Sequence, residues 1–158
     1  MVVHPAPGNS SGTLVNALIN HTKNLSDLND GDCRLILYDR SSTTPLWTYN
    51  FGSDISCIAN AGTGTGLEIS DDGEYIVAGT QSSSSEIFLF SKDSNTPLWS
   101  YDASASGIYS VDISNNGSYI VAGTKGGSSS GYNDSSVYLF SRNSSVPLWI
   151  YDTEQHSE

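Results

Sequence analysis

Carboxylates are the first candidates for chemistry in this chain, because 17 Asp and Glu stand against six Lys and Arg, a net charge of −11. Two acidic turns are rich in oxygen donors, "SDLNDGDC" at 26–33 and "SDDGE" at 70–74. A calcium loop carries its ligands in the register D-x-D-x-D-G, and neither turn follows it. The counterpart of "SDDGE" is "SNNGS" at 114–118, which has no carboxylate, so a solvated or turn-bonded role is expected for the acids. Glu68 and Asp112 hold matching places in "GLEIS" and "SVDIS". Paired in this way, they are the candidate site for a cation or a basic peptide.

The remaining reactive residue types lead nowhere. "AGTGTG" at 61–66 is rich in glycine, but a phosphate loop ends in Gly-Lys-Ser/Thr and opens a helix, and here the strand-like "LEIS" follows. His4, His21 and His156 stand apart from the regular part of the chain, so neither a Ser-His-Asp constellation nor a zinc site is expected. Cys33 and Cys57 lack CxxC spacing and read as two buried free thiols. The expectation is a protein with no catalytic site, no metal and no cofactor.

The elements that must position the two carboxylates are repeats. "NTPLWSYD" at 95–102 returns as "TTPLWTYN" at 43–50 and "SVPLWIYD" at 145–152. Trp47, Trp99 and Trp149 are therefore 52 and 50 residues apart. The larger unit is clearest in 108–152 and contains four short apolar segments with no helical periodicity. "YSVDIS" or "GLEIS" is the first strand. Asn-Gly or Asp-Gly follows, a pair suited to the positive φ angles of a tight hairpin, with Gly73 and Gly117 at its end. "YIVAGT" is the second strand, identical in two copies. After a Ser/Gly-rich loop comes the third, "EIFLFS" or "VYLFS", apolar on both faces as a strand between two layers must be. "PLW" opens the fourth, where Trp and Tyr share a face and the other face is half buried, as on an edge strand that tolerates Pro.

Four-stranded antiparallel meanders repeated every 40–50 residues are the signature of β-propeller blades. The "YIVAGT … VYLFS" half resembles a tryptophan–aspartate (WD) repeat, and "PLW-x-Y" is similar to the tryptophan motif of quinoprotein-type (PQQ-like) propellers. The resemblance covers about 33–152 and lacks the Gly-His pair that opens a standard WD repeat. It implies an all-β partial propeller acting as a binding scaffold. The rivals are a remnant of a quinoprotein-like enzyme and an extracellular surface or adhesin-type module. None of the quinoprotein cofactor residues can be placed on this sequence.

The expected organisation is an incomplete first blade with an irregular start (1–52), a second blade (53–102), a third (103–152) and a tail (153–158). Nothing ahead of "LVNALIN" at 14–20 looks long enough for a first strand, and "DISCIANAGTGTG" reads as an insertion in the second blade. Each Trp is expected to fill the wedge between neighbouring blades. An arc of three blades leaves two faces open, so either a homo-oligomer closes the ring or the chain is part of a longer propeller; the ragged first blade favours the latter.

The loop 125–136, with Lys125, Tyr132 and Asp134, is the first surface on which to expect a protein or peptide partner. Six scattered basic residues make no nucleic-acid groove, and no apolar run is long enough to span a membrane. Sequons at Asn9, Asn20, Asn24, Asn116, Asn133 and Asn143 lean towards an extracellular setting.

Overall fold

Short β-branched and aromatic runs, broken by Ser, Asn and Gly, give thirteen strands and no helix among the described residues of the computed structural model. Those residues are 2–5, 15–21, 33–39, 41–52, 56–57, 66–81, 85–104, 107–124 and 135–153. The first sheet is β1 (Val2–Pro5), β2 (Val15–His21), β3 (Cys33–Asp39) and β4 (Pro45–Gly52), each antiparallel to the one before. The second holds β5 (Ser56–Cys57), β6 (Leu67–Ile69), β7 (Tyr75–Gln81), β8 (Glu86–Ser91) and β9 (Trp99–Asp102). The third is β10 (Ile108–Ile113), β11 (Tyr119–Thr124), β12 (Ser135–Ser141) and β13 (Trp149–Thr153).

The first sheet has its first strand after all. Val2–Pro5 pairs with Asn16–Ile19, so four residues at the start of the chain suffice where a longer segment was expected. In the second sheet β5 and β6 share one edge of β7, Cys57 opposite Thr80 and Leu67 opposite Ala78. The expected insertion therefore splits the first strand of that blade into two collinear pieces.

The hairpin between first and second strands differs from the expected pair of positive φ angles. Gly73 and Gly117 have φ of 73° and 68°, whereas Asp72 and Asn116 do not turn left-handed. Their side chains accept instead: Asp72 Oδ1 from the Ser70 hydroxyl (2.6 Å) and the Glu74 amide (3.0 Å), Asn116 Oδ1 from the Ser118 amide (3.1 Å). The Gly73 amide donates to the Ser70 carbonyl at 2.8 Å, closing a four-residue loop around one turn.

Burial in the third strands shows how the sheets stack. On β8 the run Ile87–Phe90 is buried on both faces. On β3 only Cys33, Leu35 and Leu37 are buried, and on β12 only Ser136, Tyr138 and Phe140. Register makes Leu37, Leu89 and Leu139 equivalent, each opposite its blade's Trp. The two outer blades are thus buried in opposite phase, each on the side facing the middle blade.

Two cores result. Leu35, Leu37 and Phe51 pack on Ile76, Phe88 and Phe90 between blades one and two. Ile87 and Leu89 pack on Ile108, Ile120 and Phe140 between blades two and three.

Candidate functional site

The seams between blades carry the repeated tryptophans. The Trp47 ring lies 5.7 Å from that of Phe90, and its Nε1–H donates to the Lys92 carbonyl at 2.8 Å. Trp99 repeats this one blade on, 5.2 Å from Phe140, with its Nε1–H donating to the Arg142 carbonyl at 2.7 Å. Arg142 also lays its guanidinium over the Tyr75 ring, 4.6 Å from the centroid. Among the described residues no blade packs beyond Trp149, which is 47% exposed. The sequence predicts all three as wedge fillers; two fill a wedge here and the third stands on an open face.

Glu68 and Asp112 sit in matching register, opposite Val77 and Val121. Both line one open recess of about 400 Å³ at the first strands of blades two and three. Asp71, Ser114, Asn115 and Tyr119 complete its polar side, while Val121 and Leu139 form an apolar wall that belongs to the open face of blade three. Asp71 and Tyr119 were missed in the sequence. The signal lay in the hairpin itself, because the turn and the start of the second strand must reach the same end of the blade as the first strand.

The middle blade places a second pair of carboxylates. Glu86 stands opposite Asp102, and burial, then the charge on Asp102, pushes the Glu86 carboxyl above the ordinary carboxylate range. Burial and then the Glu86 charge raise the Tyr49 phenol across the seam. In blade three the pair becomes Ser136 and Asp152, joined by a hydroxyl-to-carboxylate hydrogen bond of 2.6 Å. Lys92 Nζ bridges both oxygens of Glu74 at 2.7 Å.

Among the described residues no group of three His, Cys, Asp or Glu is arranged to hold a metal. The Asp72 carboxylate does the same backbone work as the Asn116 amide, which gives "SDDGE" a structural role. Lys125, Tyr132, Asp134, His156, "AGTGT" and most of "SDLNDGDC" lie outside the described residues. His4 and His21 fall on β1 and β2. The expectation of two free thiols is corrected: Cys33 is disulfide-bonded and no described cysteine is free. Cys57 is the one other cysteine in the sequence and lies on β5, opposite Thr80 of β7.

No family model and no curated protein sequence matches the chain. Solved structures do. The Dos1 propeller matches with a TM-score of 0.65 and 11% identity over 99% of this chain. BamB from Moraxella catarrhalis matches at 0.57 and 18% over 96%, and the β-propeller domain of the Trilobed protease from Pyrococcus furiosus at 0.56 and 12% over 98%. The chain folds as part of a β-propeller. It spans only 36%, 35% and 44% of the length of those three chains. No helix of the described residues is long and apolar enough to cross a membrane.

Proposed function

We propose that this chain is a non-catalytic propeller module that binds a protein or peptide partner, and that the acidic recess at the first strands receives a cationic segment of it. The observation that carries the reading is the shared register of Glu68 and Asp112, which puts two carboxylates from successive blades, with Asp71 beside them, on one open recess. Glu68 is partly exposed although blade three packs beside it. Acidic surfaces of this kind attract basic peptides in a salt-dependent way.

The test is calorimetric titration with a Lys/Arg-rich peptide and an acidic control of equal length. Binding of the basic peptide alone, weakened at least tenfold by Glu68→Gln with Asp112→Asn and by added salt, is the expected result. Equal binding of both peptides, or affinity untouched by the double substitution, refutes it.

A second reading, an extracellular surface module, is favoured by the disulfide at Cys33, because such bonds persist in oxidising compartments. It is tested by glycan analysis of native material, where the exposed Asn143 sequon is the site to examine. An unmodified protein carrying a reduced Cys33 in cells refutes it.

A further inference from the structure

The third blade ends on a face built to be covered. Tyr119, Trp149 and Tyr151 are 54%, 47% and 64% exposed. Their equivalents in the middle blade, Tyr75, Trp99 and Tyr101, pack against the second core. Val121 and Leu139 repeat the pattern, each half-buried where Val77 and Leu89 are fully buried. A glycine adds independent support. A Cβ on Gly79 would stand 2.5 Å from Ile108 of the next blade, so that seam requires glycine. Gly123, its twin in "YIVAGT", has nothing within 4 Å. The open space beside it leaves room for a blade to approach there too.

The kind of blade that fits is defined by the two seams already present. It must offer two apolar side chains on its third strand at the places of Phe88 and Phe90, or of Tyr138 and Phe140. It must also offer a backbone carbonyl two residues later for the indole N–H. The first blade of this chain meets the first requirement on the side away from blade two. Register places Ile36 and Tyr38 of β3 at those positions, and both point away from the core that buries Leu35 and Leu37. Because the first blade has all four strands, it is able to receive a neighbour as a whole blade does.

We infer that the open face of blade three docks the open face of blade one in a second copy of the chain, head to tail, and that two such arcs close one six-blade ring with two identical seams. Head-to-tail contacts form rings when the rotation closes, and closure removes both exposed faces at once. The seams seen here join through rings, indole N–H donors and an arginine over a tyrosine, with the Glu86 carboxylate near Tyr49 across the first. The net charge of −11 on each copy opposes association, and moderate salt, which screens it, should strengthen the dimer.

The first experiment is absolute mass by light scattering behind size exclusion, for the whole chain and three substitutions. The wild type should run at about 34 kDa, twice the 16.8 kDa of one chain. Trp149→Glu and Tyr38→Glu should each give a monomer whose far-ultraviolet circular dichroism is unchanged. Leu98→Glu, on the exposed rim, should leave the dimer intact. Mixing the Trp149→Glu and Tyr38→Glu proteins should restore part of the dimer, because one native seam can then form. Iodide quenching of tryptophan fluorescence needs no substitution and should fall as protein concentration rises.

A wild-type monomer at about 100 µM with quenching independent of concentration overturns the proposal. So does a dimer broken by Trp149→Glu but not by Tyr38→Glu, which would mean that like faces pair. Masses that keep growing with concentration overturn the ring. The assembly does not rest on the peptide-binding reading: a dimer that ignores basic peptides would leave it standing.

Discussion

Replacing Trp99 by alanine should cost about 3–5 kcal/mol, the range for large aromatic truncations in cores. A fully buried tryptophan covers about 150–250 Å², which at about 25 cal/mol per Å² sets an upper limit of about 4–6 kcal/mol. Trp99 is only partly buried, which lowers that figure, but its contact with Phe140 and its bond to the Arg142 carbonyl add to it. Losing the bond alone accounts for about 0.5–1.5 kcal/mol, so Trp99→Phe should fall in that lower range while keeping most of the packing. Trp149→Ala is the internal comparison. Half-exposed and without a neighbouring blade, it should cost below about 1 kcal/mol in dilute protein shown to be monomeric by mass. Urea denaturation of the four proteins at one concentration gives these values directly. A shift under 1 kcal/mol for Trp99→Ala, or equal shifts for Trp99→Ala and Trp149→Ala, would refute the wedge reasoning.

Gly73→Ala should cost roughly 1–2 kcal/mol from its left-handed backbone alone. Gly117→Ala should cost more by the same denaturation assay, because the added Cβ would stand 2.3 Å from the Tyr75 ring. For Glu86 the folded carboxyl binds its proton up to a higher pH than the unfolded one. Its contribution is therefore fully present below the ordinary carboxylate range and lost as pH rises through the raised value. Glu86→Gln should match the wild type at low pH and exceed it near neutrality, whereas parallel stability curves would contradict the assignment. Lys92→Ala removes a partly exposed ion pair with Glu74 and should cost less than about 1 kcal/mol, with the difference shrinking in 1 M salt.

Most of the fold is legible in the sequence because the same physical demands recur. "YIVAGT" and "EIFLFS" are apolar on both sides, and β8 is buried on both sides. Trp and Tyr share a face in "PLWSYD", and that face makes the seam. What escaped reading is what depends on one copy only. Val2–Pro5 is too short to announce itself, and it becomes a strand through pairing with β2. The bond at Cys33 is a matter of three-dimensional proximity with no spacing rule behind it. The turn residues Asp72 and Asn116 carry a composition suited to positive φ, yet their side chains are of more use as acceptors for neighbouring amides. The candidate recess was half legible: Glu68 and Asp112 matched by position, whereas Asp71 and Tyr119 join them through the bend of the hairpin.

The indole of each seam donates to a main-chain carbonyl, that of Lys92 in one case and Arg142 in the other. Every residue type offers that acceptor, so the receiving side chain is free to drift while the joint survives. A gene that duplicates, loses or exchanges a blade-length segment would therefore keep compatible joints without compensating changes. Copy number can vary faster than the joint itself, and lineages with different numbers of blades should still preserve the tryptophan.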